Sequence, residues 1–191
     1  MDEYDRSQIG LLLRRLAAKD RGYASFFEGL SRESKEVHVV ARFAFEVARD
    51  VGHTFDKIRH GPDPPDCEAD GPDGGIVGIE VTELLDERAI RATKRRGVRV
   101  YADWTPEKIT AALQAIISRK AASAVPRERY AKYLLLVHTD EPELSIDYLR
   151  RSLNGVIFRC RGCLTDVYIL VSYDPRIERC PYLRLSLSHD T

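Results

Sequence analysis

The chain has 191 residues, 43% hydrophobic and 31% charged, with 30 Lys and Arg set against 30 Asp and Glu. That length suits one domain with a substantial core, and the composition excludes a disordered or fibrous chain. Zero net charge excludes nucleic-acid binding by bulk attraction and leaves it to local patches.

The N-terminus, MDEYDRSQIG, lacks a basic stretch followed by an apolar core, so the expectation is a cytoplasmic protein. Residues 7–19 and 31–51 have helical patterns, the second entered through Ser31 as a cap. In that second helix Val40, Ala44, Val47 and Val51 make one stripe, with Val37 beside it, and Gly52 follows where a helix would stop. The stretch HTFDKIRHGPDPP reads as a short mixed segment ending in a proline-rich turn. Residues 66–69 and 76–82, separated by DGPDGG, read as a hairpin. A helix over 107–120 follows, with Thr105 as its cap and Pro106 in its first turn. Next come a buried strand over 133–138, a helix over 145–153, and strands over 156–159, 167–172 and 183–187.

This order predicts an α/β fold, a mixed central β-sheet flanked by helices, in a single domain spanning 1–191 with its core at about 31–140. The chain is expected to fold alone or as a small oligomer such as a homodimer. Apolar runs such as YLLLV and VYILV are strand-sized, well short of the roughly 20 residues a bilayer demands, so no membrane partner is expected.

Four cysteines without a secretion signal read as reduced thiols. Cys160 and Cys163 nevertheless have the C-x2-C spacing of a zinc knuckle, Cys180 follows, and Cys67, His138 or His189 would have to supply a fourth ligand. The run RAIRATKRRGVR places Arg88, Arg91, Lys94, Arg95, Arg96 and Arg99 together without an acid. Such a run is either a solvated face or a phosphate-binding rim, and Tyr101 and Trp104 beside it would either pack or stack on bases.

The hairpin carries the chemistry. Side chains alternate along a strand, so Glu80 shares a face with Ile76, Gly78 and Thr82, while Val77, Ile79 and Val81 form the opposite, apolar face. A turn centred on residues 70–75 sets Asp66 across from residues 79 and 80. Two carboxylates that close together repel unless a cation lies between them, and a hard divalent ion such as Mg2+ or Mn2+ removes that cost.

Pro65-Asp66 followed by Gly78-Ile79-Glu80-Val81-Thr82 resembles the PD-(D/E)XK, or restriction-endonuclease-like, nuclease superfamily. The resemblance implies a restriction-endonuclease-like fold, metal-dependent hydrolysis of phosphodiesters, and nucleic acid, DNA above all, as partner. It makes Asp66 and Glu80 metal ligands and lends the carbonyl of Val81 to the same ion. Thr82 stands where the family has its lysine. Some members bring that lysine from a neighbouring helix, and here Lys120 ends the apolar series Ile109, Leu113, Ile116. Gln114 lies one step off that series, where related nucleases often carry a polar active-site residue. The family also tends to place a glutamate on the helix before the hairpin. Glu36 lies about 40° from the Val40 stripe and Glu46 about 120° away, which favours Glu36. The Thr82 departure leaves open a second expectation, a nuclease fold that has lost catalysis and serves as a binding or assembly module. A zinc-stabilised adaptor built on the cysteines is a third.

Overall fold

In the computed structural model, which describes residues 31–98, 100–122 and 129–189, Ser31 caps the first helix, α1 (Arg32–Val51), by accepting a hydrogen bond from the Ser34 amide. Gly52 ends α1 in the left-handed region at φ 79° and donates its N–H to the Ala48 carbonyl, a termination that glycine makes without steric cost. The helix expected over 7–19 lies outside the described residues.

After α1 come β1 (Asp56–His60), β2 (Cys67–Asp70) and β3 (Ile76–Glu83), then α2 (Glu87–Arg96) and α3 (Pro106–Ala121). The chain continues through β4 (Lys132–Thr139), α4 (Ile146–Ser152), β5 (Ile157–Cys160), β6 (Asp166–Val171), β7 (Tyr182–Arg184) and β8 (Ser186–His189). One mixed six-stranded sheet has the order β1-β2-β3-β4-β6-β7, and β5 pairs with β8 in a second, two-stranded parallel sheet. The β1-β2-β3 ribbon is antiparallel, β3, β4 and β6 run parallel, and β7 returns antiparallel. The fold is thus mixed α/β, with four helices among the described residues. No helix there is long and apolar enough to cross a membrane.

Both faces of the sheet are covered, as its parallel centre requires. On one face Val39, Val40 and Phe43 of α1 pack against Val77, Ile79, Val81, Leu134 and Leu136. On the other, Ile109, Leu113 and Ile117 of α3 and Leu149 of α4 pack against Tyr133, Leu135 and Val137. Two helix faces differ from the expected stripes. Around α1 the buried row runs through Val39, Val40, Phe43 and Ala44, and Val51 is 54% exposed. Phe43 sets that rotation, its ring lying 4.9 Å from Tyr168 and edge-on to Tyr182. Along α3 the buried row is Ile109, Leu113, Ile117 and Ala121, so Ile116 and Lys120 flank the core instead of lying at its centre.

The strand expected over 183–187 is two strands. Leu185 is buried and donates its N–H to the Val167 carbonyl, and the chain passes there from the large sheet to the small one. The cysteines, none of them in a disulfide among the described residues, are divided between the two cores: Cys160 is under α3, while Cys67 and Cys180 are under α1. Opposite faces of a sheet cannot supply one tetrahedral ion, so the geometry does not assemble the Cys160, Cys163 and Cys180 zinc set.

Candidate metal-binding and catalytic site

The β2–β3 ladder pairs Glu68 with Gly78 and Cys67 with Ile79, and there it ends. Asp66, the next residue, therefore comes level with Glu80, and directly opposed residues project to the same face. Asp66 completes the ribbon with its side chain: its Oδ2 accepts the Val81 N–H at 2.8 Å, a donor that lies beyond the last β2 pair. Its carbonyl accepts the Gly61 N–H at 2.9 Å. A Cβ on Gly61 would fall 2.1 Å from the Pro65 carbonyl oxygen, so the tight approach that sets Asp66 in place requires glycine.

Glu80 is 3% exposed. Two residues before it, Gly78 leaves the space that the Tyr133 ring fills, since a Cβ there would lie 2.6 Å from Tyr133 Cδ2. Tyr133 in turn donates its hydroxyl to Glu80 Oε1 at 2.7 Å. Burial, then the hydrogen bond to Glu80 and its charge, hold that phenol well above its ordinary pKa.

Lys120, in the last turn of α3, completes the arrangement. Its Nζ bonds Glu80 Oε2 and lies 3.4 Å from Asp66 Oδ2. Burial alone pulls the ammonium pKa down, but the Glu80 hydrogen bond and charge, followed by those of Asp66, outweigh it and raise the pKa above 10.5. Arg32, at the start of α1, reaches Asp66 Oδ1 at 3.2 Å and Glu36 Oε1 at 2.7 Å, and Glu36 Oε2 lies 4.0 Å from His60 Nε2. Three nearly buried carboxylates, Glu36, Asp66 and Glu80, are thus met by two cations, Arg32 and Lys120. The charge deficit is legible behind the strand, where burial and then the Glu36 and Asp66 charges push the Cys67 thiol up to about 12. An open cleft of about 510 Å³ borders the group, with Arg32, Glu36, Val81, Thr82, Arg119 and Lys120 in its wall, while Asp66 and Glu80 lie buried behind these residues.

The structure brings Glu36, Asp66, Glu80, Val81 and Lys120 together. It places Gln114 elsewhere: its side-chain amide accepts from Arg159 N at 3.0 Å and donates to Arg159 O at 2.8 Å. Both ends of that amide are engaged in fastening α3 to β5, which corrects the active-site role expected for it. Residues 88–96 of the basic run lie in a helix, α2, capped by Asp86, whose carboxylate accepts from the Arg88 and Ala89 amides. Ala89 and Thr93 face inward, while Arg88, Arg91, Lys94, Arg95 and Arg96 are exposed; Arg99 lies outside the described residues. Trp104 is 5% exposed with the Lys108 ammonium 4.6 Å from its ring centre, so it packs and offers no face to a base.

Several site residues went unread in the sequence. Arg32 and Tyr133 carry no local signal for their role, because their partners lie across the fold. Glu68, on the Asp66 face of β2, is buried among Tyr130 Oη at 2.8 Å, Arg129 at 2.8 Å and Arg59 at 3.3 Å. Glu46, expected to lie away from the packed stripe, is fully buried, accepting the Cys180 N–H at 2.9 Å with Arg179 at 3.1 Å. Finally, Glu83, His138 and Asp140 hold one ligand atom each within 4.8 Å of one another, a group that could hold a metal ion. Comparison of the chain with protein-family models, with curated proteins and with solved structures gives no match.

Proposed function

We propose that this protein is a metal-dependent nuclease of the PD-(D/E)XK type, with a restriction-endonuclease-like core, whose lysine comes from α3 instead of the strand. One observation carries the reading: Asp66 Oδ2 and Glu80 Oε2 converge on a single cationic atom, the Lys120 ammonium. Two carboxylate oxygens aimed at one point suit a divalent ion. The Val81 carbonyl, on the same side of β3 as the N–H that meets Asp66, adds a third oxygen, a donor set that Mg2+ or Mn2+ accepts together with water and phosphate oxygens. When bound, the metal would lower the pKa of a water and polarise the scissile phosphate.

The chain's own residues would do the rest. Lys120, protonated by virtue of its carboxylate neighbours, would swing from them to hydrogen-bond the attacking oxygen or the charge developing on phosphorus. Tyr133 would keep Glu80 aimed at the cleft. Glu36 and Arg32 would form the α1 wall, with Arg32 facing phosphate. The exposed arginines of α2 would grip backbone phosphates without reading bases.

The test is cleavage of single-stranded DNA, duplex DNA and RNA in manganese by the parent, Asp66→Asn, Glu80→Gln and Lys120→Ala chains. Each change should lower the rate at least about a hundredfold, the scale of losing one group that stabilises the transition state. Cleavage that survives both carboxylate changes ends the proposal. A second reading, an inactive binding module, draws on the fact that Asp66 and Glu80 already have protein partners, Val81 N–H, Lys120, Arg32 and Tyr133. It requires nucleic-acid binding without cleavage in manganese, undiminished by Asp66→Asn.

A further inference from the structure

We infer that Glu83, His138 and Asp140 form a second binding site, for a transition-metal ion of the Zn2+, Mn2+ or Co2+ class, at the C-terminal ends of β3 and β4, on the α1 side of the same cleft that Lys120 lines. Glu83 and His138 are partners in the parallel register between β3 and β4, so they stand side by side at the strand ends. Alternation along β3 sends Glu83 to the α1 face with Val77, Ile79 and Val81, away from Glu80, and its ion pair with Lys35 of α1 at 3.1 Å agrees. Asp140 follows just past the end of β4. The backbone that carries the three is held at several points: Leu84 N–H donates to the His138 carbonyl at 2.8 Å, Thr139 Oγ1 to the Leu84 carbonyl at 2.9 Å, and Ser172 N–H to the Thr139 carbonyl at 3.0 Å. The ligands are therefore set by paired strand ends, which fixes their spacing before any ion arrives.

An imidazole nitrogen with two carboxylates favours borderline transition ions over Mg2+ or Ca2+, which prefer an all-oxygen set. Glu83 and His138 both line the 510 Å³ cleft, so an ion has a path to them and room for water or a phosphate oxygen as a further ligand. Lys35 is the built-in competitor: its ammonium neutralises Glu83 and must move aside as the metal binds. The inference rests on these residues alone and stands whether or not Asp66 and Glu80 support cleavage.

Titration of the full chain with Co2+, followed by visible absorption and calorimetry, tests it. The parent should show the absorption band of one imidazole-bound Co2+, and the Glu80→Gln chain should keep that band even where it loses an ion held by Asp66 and Glu80. His138→Gln and Asp140→Asn should bind at least about a hundredfold more weakly, because loss of even an outer partner of a metal ligand costs about 10–100-fold. Lys35→Met should bind more tightly than the parent. Asp140 lies at the sheet margin outside the core, so Asp140→Asn keeps the test valid should the buried His138 change impair folding. No imidazole band in the parent, loss of that band in Glu80→Gln, or an unchanged band and affinity in Asp140→Asn would each overturn it.

Discussion

Replacing Lys120 with methionine keeps most of the side chain's apolar stem and removes only the charge that lies between Asp66 and Glu80. The two carboxylates are 2% and 4% exposed at their side chains and the lysine 19%. Removing one partner of a buried pair typically costs about 3–5 kcal/mol because a buried charge is left without its partner, and the partial exposure of Lys120 puts this case near about 3. For a chain of this length such a loss lowers the melting temperature by about 6–12 °C. In EDTA the Lys120→Met chain should therefore melt well below the parent. If the two carboxylates can grip an ion, Mg2+ or Mn2+ should then replace the missing charge, and at about one hundred times its Kd it would return about 2.7 kcal/mol. The assay is thermal or urea unfolding of parent, Lys120→Met and Asp66→Asn/Lys120→Met chains, each with EDTA and with metal. A loss below about 1 kcal/mol in EDTA would refute the claim that these charges are buried and interdependent. Metal stabilisation equal in the single and double variants would refute the claim that Asp66 and Glu80 converge on one ion.

Gly78→Ala should destabilise the protein by about 1–3 kcal/mol, because its Cβ would lie 2.6 Å from the packed Tyr133 ring, and displacement of that ring would also free Glu80 in the cleft; unfolding midpoints and cleavage rates check both. Alkaline pH should destabilise the fold through groups whose folded pKa is raised: Cys67 from 9.0 to about 12, Tyr130 from 10.0 to about 12, and Lys120 from 10.5 upward. Their stabilisation is complete below the unfolded values and is lost as pH climbs through the folded ones, so urea midpoints should fall from about pH 9. Cys67→Ala should make that fall shallower by up to about 1.4 kcal/mol per pH unit. Lys94→Ala/Arg95→Ala/Arg96→Ala in α2 should leave the melting temperature nearly unchanged, since all three are exposed, while reducing the slope of log affinity for DNA against log salt by up to about 2.7 if each meets a phosphate. An unchanged slope would remove α2 from the nucleic-acid interface.

How much of this was legible in the sequence depended on how local the cause was. The hairpin could be read because its turn residues and the alternation of β3 are written within a few positions, and these alone set Asp66 level with Glu80. α3 could be read from its cap, its proline and its apolar spacing, although the buried row is turned toward Ile117 because the sheet decides which side is inside. β1 was hidden: DKIRH is an edge strand, mostly exposed, and has no apolar alternation. α2 was hidden behind its charges, since it buries only Ala89 and Thr93 and packs Ile90 partly against the core. Its aspartate cap, first-turn glutamate and terminal Gly97 were signals that the basic run obscured. Glu46 was beyond reach, because burying its charge depends on Arg179 and the Cys180 amide, contributed from the far end of the chain. The Glu83 and His138 pairing likewise follows from a parallel register that joins strands across α2 and α3.

Asp66 serves the ribbon as well as the cleft, because its carboxylate oxygen takes the place of the backbone acceptor that another residue of β2 would have offered Val81. An alanine there would both discharge the cleft and unzip the last rung of the hairpin, so lost activity in that variant would be ambiguous between chemistry and fraying. Asparagine retains an oxygen for the amide while discarding the negative charge. At this one position the amide is the substitution that tells an absent ligand from a loosened strand.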